Sequence, residues 1–117
     1  MKALTHFPQI YLYPQIVDFR KYIDGLTSVI MEQMLLDPFS ESIFIFTNKR
    51  KNKIKMIYWD KTGFALWMKR LEKDRFIWPK NIDQNVVQIN QSQLEWLLEG
   101  IDIWKIKKHK HLEFKSA

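Results

Sequence analysis

Ten cationic side chains fall between positions 49 and 75: Lys49, Arg50, Lys51, Lys53, Lys55, Lys61, Lys69, Arg70, Lys73 and Arg75. Only Asp60, Glu72 and Asp74 oppose them there. This segment carries +7 in a chain of net charge +6; residues 105–117 add +4, while residues 1–48 carry −2 and residues 76–104 carry −3. Clustered cations attract phosphate at long range and gain from counterion release on contact, so a nucleic-acid backbone suits such a segment. Aromatic residues are interleaved with the charge. In NKRKNKIKMIYWDKTGFALWMKRLEKDRFIWP, Trp59, Trp67 and Trp78 can stack on unpaired bases or anchor a protein interface, and a two-stranded ribbon is narrow enough to enter a major groove. The candidate nucleic-acid contacts are Lys49, Arg50, Lys51, Lys53, Lys55, Lys69, Arg70, Lys73 and Arg75, with Arg50 and Lys51 foremost. The competing reading is a solvated charged surface over a packed sheet. In that case Lys69, Arg70, Lys73 and Arg75 pair with Glu72 and Asp74, and the rings belong to the core.

Most other site chemistry lacks its residues. The chain has no cysteine, which removes disulfides, thiol catalysis and cysteine-ligated metals and agrees with a reducing compartment. His109 and His111 sit in a Lys-rich terminal run far from His6, and no HExxH occurs, so no metal is expected. Gly25, Gly63 and Gly100 are isolated and cannot build a phosphate cradle, so no nucleotide cofactor is expected. Ser40, Ser42 and Ser92 have no histidine beside them and no elbow motif. Asp60 lies in one turn, Glu72 and Asp74 in another, and Asp18 and Asp24 point to different sides of a helix; none forms an obvious two-metal pair. No run of 18 apolar residues and no secretory pattern occurs, which leads to the expectation of a soluble cytoplasmic protein with no membrane partner.

The elements that must position the basic segment follow from periodicity. At 117 residues, with 46% hydrophobic and 15% aromatic content, the chain fits one core, without a disulfide or structural metal. QIYLYPQIV at 9–17 reads as a strand whose Pro14 suits an edge or a bulge. Phe19, Ile23, Leu26, Ile30 and Met34 recur at helical steps behind Asp18 as a candidate cap. Gly25 there implies close packing or a break, and the helix should end before Asp37-Pro38. From Ser42 to Pro79 the period becomes two, and SIFIFTN, KIKMIYW, FALWMKRL and RFIWP read as four antiparallel strands joined by short links. Asn48 and Asn52 bracket a basic tip, and Gly63 supplies positive φ in the DKTG turn. Ile54, Met56 and Tyr58 share the face better suited to packing under the helix, opposite Lys53, Lys55, Ile57 and Trp59. VVQI offers one more short strand. Asn90 to Gln93 has capping-box spacing, Leu94, Leu97, Leu98 and Ile101 give a second helix its face, Gly100 ends it, and Trp104 anchors the return. The fold expected is α+β: a single domain over residues 1–104, its antiparallel meander packed by an N-terminal and a C-terminal helix. A basic, flexible tail follows at 105–117. An open meander also leaves an edge that can pair across a two-fold axis as a homodimer.

Particular strings add a resemblance to these patterns. VDFRKYIDGL at 17–26, LDPFSESIFIF at 36–46, the ribbon at 48–79 and QLEWLLEGIDI at 93–103 together resemble the small TnpB accessory proteins of IS sixty-six type bacterial insertion sequences. These are second-reading-frame products, distinct from the RNA-guided nucleases of the same short name. The resemblance spans about residues 10–104 and departs at Phe19, where Met is common, at Tyr22, where a small residue is usual, and at the Lys/Asn-rich tip. It implies a part in transposition beside a larger transposase and another small accessory product, and it marks no catalytic residue. The expectation is therefore a non-enzymatic accessory protein binding element DNA through the basic hairpin, the transposase, or both. The alternatives are a protein adaptor without DNA contact and, more remotely, a metal-dependent nuclease using Asp60 or Glu72.

Overall fold

The computed structural model describes Phe7, residues 9–80 and residues 82–105. Its elements run β1 (Gln9–Ile16), α1 (Ile23–Glu32), β2 (Ser42–Thr47), β3 (Lys53–Asp60), β4 (Gly63–Arg70), β5 (Val87–Ile89) and α2 (Gln91–Leu98), and a further helical turn begins at Ile103. The five strands form one mixed sheet in the order β4-β3-β2-β1-β5. β2, β3 and β4 make the antiparallel meander, as links too short for a crossover require. β1 lies parallel to β2, with α1 as the crossover between them, and β5 pairs antiparallel with β1.

β1 is thus an interior strand and not the edge that Pro14 suggested. The proline is accommodated by the other route, a register shift between Leu12 and Ile16 that interrupts the β1–β2 ladder where Pro14 cannot donate. RFIWP is not a fourth meander strand: residues 71–80 are irregular, and Phe76 and Trp78 turn inward as buried core residues.

A strand covered on both faces needs apolar residues on both, which explains the IFIF centre of SIFIFT; all six residues are buried, and the terminal Ser42 and Thr47 hydroxyls are hydrogen-bonded. Phe44 and Phe46 face α1 and pack with Leu26, Val29, Ile30, Met34 and Ile57. Ile43 and Ile45 face the other way and join Ile54, Met56, Tyr58, Leu94, Leu97 and Leu98. The Ile54/Met56/Tyr58 face therefore lies under α2, while α1 covers the face that carries Ile57 and Lys55.

The helix ends divide in how they are made. α1 begins later than Asp18 allows: its N-cap is Tyr22 with no side-chain cap, and Asp18 instead accepts from the Arg20 backbone N–H and guanidinium. The helix runs unbroken through Gly25, where a Cβ would stand 3.0 Å from Cβ of Lys21. α2 has the full capping box, with the Gln93 N–H donating to Asn90 Oδ1 and the Asn90 N–H to Gln93 Oε1, both at 2.8 Å. It ends at Gly100 with φ +84°, where the Gly100 and Ile101 N–H groups return to the carbonyls of Leu97 and Trp96, a Schellman closure. Trp104 then donates from Nε1 to the Ile77 carbonyl at 2.7 Å, anchoring the return.

Candidate nucleic-acid interface

The β2–β3 connection is a built hairpin tip. Asn48 Nδ2 donates to Asn52 Oδ1 at 2.8 Å, the Lys53 N–H donates to Asn48 Oδ1 at 3.2 Å, and the Lys51 N–H closes on the Asn48 carbonyl at 3.0 Å. Lys51 itself takes φ +57°, a conformation that costs a side-chain-bearing residue energy and is held here by those bonds. Two further bonds stitch the chain after β4 onto the tip: the Leu71 N–H to the Asn52 carbonyl at 2.9 Å and the Phe76 N–H to the Lys51 carbonyl at 2.7 Å.

Those bonds bring together the two basic stretches. Lys53 stands directly across from Arg70 in the β3–β4 ladder, so Lys49, Arg50, Lys51 and Lys53 share one end of the sheet with Arg70, Lys73 and Arg75. Seven cations meet two carboxylates there. Glu72 is bound to Arg70 at 2.8 Å in an exposed pair that holds the guanidinium while contributing little to stability. Lys49, Arg50, Arg70, Lys73 and Arg75 are exposed, and Lys51 and Lys53 are half-buried.

Two of the nine candidate contacts are committed elsewhere. Lys55 is only 5% exposed, and its Nζ donates to the carbonyls of Phe19 and Lys21, each at 2.8 Å, tying the segment before α1 onto β3. The ammonium lies 4.7 Å from the Phe19 ring centroid and 5.4 Å from that of Tyr22, two of the positions at which the resemblance departs. Burial, with a smaller contribution from Lys53, lowers its pKa from the ordinary 10.5. Lys69 reaches from β4 to the Leu98 carbonyl at 2.8 Å, where it caps the C-terminus of α2 with positive charge. Neither was separable from the surface lysines by type or spacing, because burial depends on which helix lies over the strand.

The tryptophans divide as well. Trp78 is 2% exposed and donates from Nε1 to the Tyr13 carbonyl at 2.9 Å, so it is a core residue and not a stacking platform. Trp67 is half-buried against the α2-side core. Trp59 lies at the opposite end of the ribbon from the basic tip and meets Phe64 at 5.1 Å and Phe39 at 5.0 Å between ring centroids, both edge to face. Phe39 is 56% exposed and held in its turn by its N–H bond to Asp37 Oδ1; its turn and the β3–β4 turn carry the exposed carboxylates of Asp37, Glu41 and Asp60 and the exposed cation Lys61. Phe39 was not a candidate in the sequence, because it lies 20 positions from Trp59 and only their meeting in space reveals this aromatic end. In the turn there, the positive φ falls on Lys61, at +54°, and not on Gly63.

Asp60 and Glu72 lie at opposite ends of the β3–β4 ribbon, too far apart to share a metal, and no group of three metal-ligating side chains occurs among the described residues. Among them also, no helix is long and apolar enough to cross a membrane. His6, His109, His111 and all but the first residue of the proposed tail at 105–117 lie outside the described residues.

The basic hairpin end thus stands on a small five-stranded sheet with a helix on each face. Residues 8–108 match the family model of the IS66 Orf2-like proteins, and the chain belongs to that family. It is accordingly a transposition-associated accessory protein of the insertion-sequence kind. It is similar to two proteins of Sinorhizobium fredii: the uncharacterized protein y4jC, 32% identical over 100 residues that cover 86% of this chain and 85% of the relative, and the uncharacterized protein y4hO, 33% identical over 88 residues that cover 75% of each. No solved structure matches the chain significantly.

Proposed function

We propose that the chain is a non-enzymatic accessory that holds element DNA at the basic end of the β3–β4 ribbon, while a separate transposase, assisted by the element's other accessory protein, carries the chemistry. The observation that supports this is the stitching of residues 71–76 onto the Asn48–Asn52 tip, which gathers seven cations at one end of a rigid sheet. Rigid placement matters because phosphate contacts gain most when the cations need not be ordered on binding. Lys49, Arg50, Lys51, Lys53, Arg70, Lys73 and Arg75 are the contacts; Lys55 and Lys69 are not. Gel shifts with element-end and scrambled duplexes, across a salt series and with and without transposase, test it. Expected is binding that weakens linearly in log–log salt with a slope of about −0.9 per phosphate contact. Absence of a shift in every mixture overturns the DNA role.

A second reading, a protein adaptor, draws support from the exposed Phe39 against Trp59 and Phe64. It predicts co-purification with transposase that survives nuclease treatment and removal of the Lys49, Arg50 and Lys51 charges, and that is lost on Phe39→Ala.

A further inference from the structure

Of the sheet's two edge strands, β5 is three residues long, and the longer is β4, hydrogen-bonded among the described residues only to β3. Its eight residues pair with β3 in unbroken register, with no bulge and no proline, so it has few of the devices that blunt an edge. The bond from the Leu71 N–H to the Asn52 carbonyl sets the phase of that ladder. Alternate residues turn their backbones the same way, so Gly63, Ala65, Trp67 and Lys69 point their amides at β3, whereas Phe64, Leu66, Met68 and Arg70 point theirs outward. The same four outward residues share the α1 face, where Phe64 and Leu66 are half-buried and Met68 is 55% exposed.

Charge is distributed along this edge in a self-complementary way. The Phe64 end carries exposed Asp37, Glu41 and Asp60 against one cation, Lys61; the other end carries Arg70, Lys73 and Arg75 against Glu72 and Asp74, so the two ends keep opposite net sign. A parallel neighbour would set basic end on basic end. An antiparallel neighbour of the same sequence sets the acidic end of each copy beside the basic end of the other, twice, around one two-fold axis.

We infer that β4 is a self-association edge: a second copy adds its own β4 antiparallel, joining two five-stranded sheets into one of ten strands. Centred on Leu66, the pairing places Phe64 of each copy against Met68 of the other, continuing the apolar row, and Arg70 beside Thr62, two positions from Asp60. The outward amides then donate across the axis. This inference shares Arg70, Lys73 and Arg75 with the DNA reading, but its test uses no nucleic acid, so either can fail without the other.

Sedimentation of the full chain from about 1 to 100 μM is expected to show a species of twice the 14.3 kDa chain mass. Met68→Pro removes an outward amide without costing a β3 bond, and Met68→Lys puts charge in the apolar row; each is expected to weaken association at least about tenfold. Met31→Lys, at an exposed position on α1, is expected to leave it unchanged. Arg70→Glu is expected to weaken the dimer, and adding Asp60→Lys to restore much of it. A chain that stays monomeric throughout overturns the inference, as does a dimer indifferent to both Met68 variants. A dimer weakened by Met68→Lys yet untouched by Arg70→Glu overturns the antiparallel arrangement. Should Met68→Pro fail to fold, the Lys and Glu variants decide.

Discussion

At one end of the β3–β4 ribbon, lysines and arginines gather around the Asn48–Asn52 tip; at the other, Trp59 meets Phe39 and Phe64 edge to face in turns that carry Asp37, Glu41 and Asp60. The two ends share the same pair of strands and the same unbroken register, so their difference owes nothing to backbone geometry. What differs is which loop each end receives. The segment after β4 folds back on the tip and adds cations; the turn after α1 comes down on Trp59 and adds a ring. A short ribbon thereby presents a cationic end and an aromatic end flanked by carboxylates without their charges cancelling.

The contrast breaks hardest in the middle of the ribbon, at Lys55. Lys55→Ala removes the donor to two carbonyls and the packed stem around it, and is expected to cost about 2–4 kcal/mol of stability in urea unfolding. DNA affinity should stay within about twofold in the folded variant, because this cation does not reach the surface. Its lowered pKa has a sign: the unfolded chain holds the proton more tightly, so this group's contribution to stability rises as pH climbs from its folded value toward 10.5. Lys55→Met should flatten that alkaline rise. The next effect sharpens the comparison from its ends. Replacing Lys49, Arg50 and Lys51 with Ala should weaken duplex binding about a hundredfold near physiological salt and reduce the salt slope by about 3, while Phe39→Ala leaves both unchanged. Asn48→Ala unpins the tip without touching a cation; about 1–2 kcal/mol of stability and a few-fold loss of DNA affinity are expected from calorimetry and gel shift. The smallest effect lies outside the ribbon. Hydrogen bonds from the Arg20 side chain, then its backbone, hold the Asp18 carboxyl at about 2, below its ordinary 3.8. Its contribution is therefore present above pH 3.8 and is lost as pH falls through about 2; Asp18→Asn should remove that part of the acid slope and little else.

Much of this was legible in the residues. The three meander strands, the short fifth strand, the capping box at Asn90, the stop at Gly100 and the Asn-bracketed tip all rest on local rules, and local geometry obeyed them. The failures share a cause. Pro14 suits an edge or a bulge equally well, since both satisfy the missing donor, and only the pairing of β1 on both sides selects the bulge. RFIWP alternates like a strand, yet it lies in a segment drawn inward by Phe76 and Trp78. Asp18 found Arg20 two residues away before it found a helix.

The sequence by itself determined that the chain makes one small domain with a basic central segment and no cysteine, because length, composition and spacing bound what residues can do. It also carried the strings that mark its family. Only the tertiary structure decided which cations are available. Lys55 sits between Lys53 and the apolar end of the same strand, and nothing in that spacing tells that α1 and its leading segment will close over one and leave the other half open. Burial of a charge is a property of what packs above it, and that is set by contacts between residues 34 and 36 positions apart, as the bonds from Lys55 to Lys21 and Phe19 are.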